Sequence, residues 1–112
     1  MPRGEFLGEF EQIVLLAVVR LDDSAYGIAL RDEIELHTGR EVSVGSVYKA
    51  LDRMEKRGLV VSTLGDPTPE RGGRAKRFYS VELPGVVALH ESRVSLANLW
   101  AGLDLDPDGW PS

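Results

Sequence analysis

The 112-residue chain contains no cysteine, which excludes disulfides, thiolate metal sites and cysteine nucleophiles together. Long hydrophobic runs are also missing. The longest, Ile13 to Val19, is seven residues, far below the ~20 needed to cross a bilayer as a helix. The start carries neither the basic stretch nor the small-residue cleavage site of a signal peptide, so a cytoplasmic protein without a membrane partner is expected. Histidine is scarce. His37 and His90 stand far apart without clustered acidic partners, and no metal site is expected. Asp104 to Gly109 imitates the opening of a calcium loop, but the sequence runs out at Ser112, before the glutamate that would complete the ligand set. Gly72-Gly73 lies in no G-x-x-x-x-G-K-[ST] pattern, and no nucleophile elbow surrounds a serine. Neither a cofactor nor an enzyme is expected.

What is present is an ordinary globular composition, 43% apolar and 28% charged, in a length that suits one domain. The net charge of −5 hides an asymmetry. Between Ser43 and Arg77 stand Lys49, Arg53, Lys56, Arg57, Arg71, Arg74, Lys76 and Arg77 against only Asp52, Glu55, Asp66 and Glu70, a local excess of +4. A phosphate-binding surface needs local positive potential rather than a basic average.

Periodicity predicts four helices and a hairpin. Leu7 to Leu21 is apolar on nearly all sides, which implies burial from more than one direction. Asp22-Asp23-Ser24 reads as a turn, with Ser24 the N-cap of a second helix from Ala25 to about His37, ended by Gly39. Gly27 lets a neighbouring helix approach closely. Ser43 caps a third helix to Arg57, with Val42 and Val47 placed as a hydrophobic staple. Val44, Val47, Leu51 and Met54 form its apolar stripe, Ser46, Lys49, Arg53 and Lys56 its opposite face, and Gly58 its stop. Leu59 to Leu64 and Ala75 to Val81 read as strands around a glycine- and proline-rich tip from Gly65 to Gly73. Pro84 opens a last helix to about Ala101. The tail after Leu103 is turn-forming and expected to be mobile.

By itself the third helix fits an ordinary solvated surface helix. The small residues Gly45 and Ser46 at its entrance, the cations beyond them and the preceding helix turn it into a helix-turn-helix reader. Ser46 and Lys49 are then candidates for base edges or phosphates, Arg53 and Lys56 for the DNA backbone, with Ser43 in the same DNA-facing set. Tyr48, at the stripe's edge, fits either a structural ring or an inward ring whose hydroxyl reaches a phosphate. Arg71, Arg74 and Lys76 belong to the wing, able to follow a minor groove or a phosphate strand. Leu89, Leu96 and Leu103 recur every seven residues, with Leu99 and Trp100 beside them, as a dimer seam that Ser92 interrupts. Trp100 fits core or interface packing, or a platform for a flat aromatic ligand.

Ala25-Tyr26-Gly27-Ile28-Ala29-Leu30, Val44-Gly45-Ser46-Val47-Tyr48-Lys49-Ala50-Leu51, Met54-Glu55-Lys56-Arg57-Gly58-Leu59-Val60 and Arg74-Ala75-Lys76-Arg77-Phe78-Tyr79-Ser80-Val81 occur in order. Together they resemble the PadR family of transcriptional regulators over about Leu7 to Leu89. The resemblance implies a mainly α fold with a small two-stranded β wing: a winged helix-turn-helix over residues 1–82, a C-terminal dimerisation helix over 83–103 and a tail over 104–112. It further implies a homodimeric repressor of a promoter, binding double-stranded DNA and released by a small molecule. Ser46, Tyr48 and Lys49 match the family's DNA-facing helix, and Arg74 and Lys76 its wing. Glu82-Leu83-Pro84-Gly85 departs from the family's threonine-glutamate-x-glycine, and the short C-terminal region resembles its compact subgroup. Some compact relatives hold planar aromatic compounds between dimer-related tryptophans, and Trp100 sits in a comparable helix. The acidic balance leaves a second reading, a winged-helix protein-interaction module without DNA binding.

Overall fold

The computed structural model describes residues 6–65 and 76–109. Its order is α1 (Glu9–Leu21), a 3-10 turn (Asp22–Ser24), α2 (Gly27–Thr38), α3 (Val44–Lys56), β1 (Val60–Leu64), β2 (Arg77–Val81) and α4 (Leu83–Trp100). This is a winged helix-turn-helix, mainly helical, with one two-stranded antiparallel sheet. Leu15 and Val18 from α1, Leu30 and Ile34 from α2, and Val47, Leu51 and Met54 from α3 are fully buried and meet in one core. Ala50 joins the apolar stripe of α3, while Val44 at its edge is only half-buried.

Several helix ends follow from local chemistry. Ser43 Oγ accepts from the Ser46 N–H at 3.0 Å, satisfying one of the free amides at the start of α3. The chain leaves α3 through Gly58, whose φ of 75° lies in the left-handed region that glycine enters without a Cβ penalty. Gly39, at φ 71°, closes α2 in the same way and donates its N–H to Glu35 O. At α1 the entrance is fixed by Glu11, whose Oε1 accepts from the Gly8 N–H at 3.0 Å.

One expectation is corrected. Ser24 does not cap α2: it closes the 3-10 turn, and the helix starts two residues later behind Tyr26, which gives no side-chain cap. The reason is tertiary. Ala25 is completely buried, and its carbonyl accepts from the Tyr79 N–H of β2 at 2.9 Å, so its backbone serves the wing instead of the helix. The apolar girdle of α1 packs against α2, α3, β2 and α4, as its all-round apolar surface implies, and leaves one strip open. Val14, Leu15, Ala17 and Val18 are buried, whereas Leu16 and Val19 are more than half exposed.

The wing pairs Val60 with Val81 through Leu64 with Arg77, and the Gly65 N–H donates to Lys76 O at 2.7 Å as the pair opens into its tip. The tip itself, with Arg71, Arg74 and Ala75, lies outside the described residues. Pro84 stands in the first turn of α4 behind the N-cap Glu82. The helix ends at Trp100 and Gly102 takes φ 81°, so Leu103, the third leucine of the heptad spacing, falls beyond the helix. Among the described residues no helix is long and apolar enough to cross a membrane.

Candidate nucleic-acid interface

The surface opposite the core on α3 is cationic. Lys49, Arg53 and Lys56 are exposed, and their spacing puts them on one side of the helix. They differ in what holds them. Glu11 on α1, only 14% exposed, lies with Oε1 3.5 Å from Arg57 Nη1 and Oε2 3.9 Å from Arg53 Nε. Arg57 is thereby tied to the helix pair, and Arg53 leans toward the same carboxylate. Lys49 and Lys56 have no carboxylate within ion-pair distance among the described residues. Lys49 and Lys56 are thus the unpaired charges of this face among the described residues, and Arg53 lies at the edge of ion-pair distance.

Ser46 is half-buried, and its hydroxyl donates to Ser43 O at 2.8 Å. With that proton engaged, the oxygen is left as an acceptor, which suits a base amino group better than a phosphate. Ser43 is exposed at the same entrance, its oxygen already accepting the Ser46 amide.

Tyr48 points toward α2. A Cβ on Gly27 would lie 2.6 Å from Tyr48 Cζ and closer still to the hydroxyl, so the bare glycine backbone forms the seat of this ring. Its centroid is 6.4 Å from that of Tyr79. The expected close approach at Gly27 therefore occurs, and it is made by one side chain of α3.

The base of the wing is anchored to the start of α2 by contacts that the spacing of residues did not reveal. Lys76 Nζ lies 4.3 Å above the Tyr26 ring, a cation–π geometry. The same ring meets Phe78 edge-on, with centroids 5.6 Å apart. Arg77 Nη1 donates to Ser62 Oγ at 2.9 Å, and Ser62 Oγ donates to Glu55 Oε2 at 2.8 Å, joining both strands to α3. Tyr79 is buried beneath. Burial, followed by the nearby Asp52 carboxylate, pushes its hydroxyl up to about 12, while Arg77 pulls the other way. Tyr26, Ile28, Tyr48, Asp52, Leu64, Lys76, Arg77 and Tyr79 together line an open groove of about 590 Å³ between α2, α3 and the wing. Of the expected DNA-facing residues, the structure brings Ser43, Ser46, Lys49, Arg53 and Lys56 together on α3. Tyr48 and Lys76 border the groove, and Arg71 and Arg74 lie outside the described residues.

On α4, Leu89 is half-buried against the chain's own core, whereas Leu96, Leu99 and Trp100 are exposed, as is Leu103 beyond the helix. No group of three or more metal-ligating side chains occurs among the described residues.

A helix-turn-helix followed by a paired-strand wing, with its cations on the outer side of the second helix, defines the winged-helix class of DNA-binding domains. Comparison with known proteins narrows this. The model of the transcriptional regulator PadR-like family matches residues 15–91. The chain is 38% identical over 80 residues to the transcriptional regulator Rv3488 of Mycobacterium tuberculosis, covering 70% of this chain and 68% of that protein. Among solved structures it resembles a PadR family transcriptional regulator from Eggerthella lenta at a TM-score of 0.63 and 25% identity, over 84% of this chain and 81% of that one. A PadR-like transcriptional regulator from Bacillus cereus matches at a TM-score of 0.59 and 26% identity, over 84% and 93%. The chain belongs to the PadR-like family of transcriptional regulators.

Proposed function

We propose that this regulator is a cytoplasmic, homodimeric repressor that reads a palindromic operator with α3 and is released by a small aromatic molecule. The observation that carries the reading is the exposed row Lys49, Arg53 and Lys56 on the side of α3 away from the core, bordered by the anchored wing. Lys49 and Ser46 stand toward the entrance of α3, where base edges are met, and Arg53 and Lys56 further along, where the backbone rises past the helix. Ser43 and Tyr48 flank them, and Arg71, Arg74 and Lys76 of the wing take the adjacent phosphates. Two copies place their α3 helices in successive major grooves.

The dimer is supported by apolar surface that one chain leaves open: Leu96, Leu99 and Trp100 on α4, Leu103 just past it, and Leu16 and Val19 on α1. Leu89 belongs to the same helix but is largely spent on the core. The division into a reading domain over 1–82, a dimerising segment over 83–103 and a tail over 104–112 follows this partition. Trp100, 53% exposed near the end of α4, is the proposed platform for a flat aromatic effector, which two dimer-related copies would sandwich.

The experiment is a mobility-shift titration on duplex from the regulator's own upstream region. Lys49→Ala combined with Arg53→Ala should weaken binding at least tenfold and flatten its salt dependence by about one phosphate contact, that of Arg53, with the circular dichroism spectrum unchanged. Undiminished affinity would remove α3 as the reader. Salt-insensitive wild-type behaviour on every duplex would favour the interaction-module reading instead.

A further inference from the structure

Asp52 occupies a position where a negative charge should weaken a DNA-facing surface. It is exposed on α3, three residues after Lys49 and four before Lys56, and it lines the groove bordered by Tyr48 and Lys76. Those spacings permit ion pairs along a helix, yet no cation lies within 4.0 Å of Asp52 among the described residues. The carboxylate is also mid-helix, away from any amide it could cap. Its acceptor capacity is left facing outward.

Next to a phosphate strand such a group is repelled. Next to base edges it is an acceptor-only group that must meet a donor. The major groove offers two kinds of exocyclic amine. Adenine sets its amine beside the acceptor N7, which clashes with a second carboxylate oxygen, whereas cytosine presents its N4 amine without a neighbouring acceptor on the same base. The guanine paired with that cytosine shows only acceptors, O6 and N7, which suit an ammonium group. Lys49 and Asp52, a donor and an acceptor one turn apart, thus match the two halves of one C·G pair.

We propose that Asp52 is a specificity-determining residue that accepts a hydrogen bond from the N4 amino group of an operator cytosine, beside Lys49 on the paired guanine. This rests on α3 being the DNA-facing helix. It gives the carboxylate two effects: it favours one base pair, and it holds the helix off sequences that would bring a phosphate to the same place.

The test is selection of bound duplexes from a randomised library by the full chain, repeated with Asp52→Asn and Asp52→Ala. The wild type should select a consensus in which replacing one C·G pair by T·A costs about 5- to 150-fold in affinity. Asp52→Asn, isosteric and able to pair bidentately with adenine, should shift that position toward adenine. Asp52→Ala should lose preference there while binding unrelated duplex more tightly. An identical consensus for all three proteins, or a uniform affinity gain on every sequence, would overturn the proposal while leaving α3 as the reader. A wild type that selects nothing and binds no duplex in a salt-dependent way would overturn both.

Discussion

Gly27 and Tyr48 are a matched pair, because the ring of one fills the space where the other would carry a side chain. A glycine in a helix that starts without a side-chain cap costs backbone entropy, and here the cost is offset by a seated aromatic ring. Gly27→Ala should therefore destabilise the fold by about 1–3 kcal/mol, the usual cost of overpacking, in urea unfolding. In a Tyr48→Ala background the same change should be nearly neutral. Tyr79 makes a second prediction. It is 3% exposed, and its folded value of about 12 stands above the ordinary 10.0. The unfolded chain then loses this proton first, so the folded state binds more protons between those values. Stability should fall as pH rises from 10 to 12, by roughly 2 kcal/mol, and the difference between the wild type and Tyr79→Phe in chemical denaturation should track that fall. Legibility was uneven at this scale. The role of Gly27 was readable because a glycine opposite a neighbouring helix has few other uses. The Lys76–Tyr26–Phe78 stack was not, because its members lie some fifty residues apart and only the folded wing brings them together.

At the scale of elements, α3 was the most legible part of the chain, since cap, stripe, cationic face and glycine stop all repeat at helical spacing between Ser43 and Gly58. The start of α2 was misplaced by two residues for a physical reason: Ala25 looks helical locally, but β2 claims its carbonyl. The junction between α3, the wing and α4 was equally hidden. The Glu82 N–H donates to Leu59 O at 2.9 Å, and a Cβ on buried Gly85 would lie 2.5 Å from that same oxygen and 2.7 Å from Val81 Cγ1. The first turn of α4 is thus pressed onto the backbone that leaves α3. Gly85→Ala should cost about 1–3 kcal/mol in thermal or urea unfolding, because a backbone carbonyl cannot swing aside as a side chain does. Gly45→Ala is the control. Its added carbon meets nothing nearer than Ser43 Oγ at 3.9 Å, and alanine is the better helix former, so stability should rise by about 0.5–1 kcal/mol.

The whole molecule is long for its size, 59 Å by 35 Å by 20 Å. From Arg93 onward every residue of α4 is exposed, so its own chain leaves the last two turns of that helix largely open. Leu99 is 72% exposed there, beside Leu96 and Trp100, and a contiguous apolar patch of this kind marks an association surface. A second open hollow, about 490 Å³ and lined by Phe6, Leu7, Gln12, Val94 and Leu96 among others, lies between the segment before α1 and α4. Both features belong to the apolar face through which two copies are proposed to join, and a C₂ interface presents the same patch from each side. Light scattering should accordingly give twice the 12.3 kDa chain mass. Leu96→Glu with Leu99→Glu puts two charges per chain into that contact, four in the dimer, and should yield a monomer with an unaltered helical spectrum, because neither side chain supports the core. On duplex carrying two half-sites the monomer should bind each independently and far more weakly, losing the advantage of linked binding. A variant that stays dimeric would move the interface off the last turns of α4. One that turns monomeric yet keeps full operator affinity would make the reading unit a single chain.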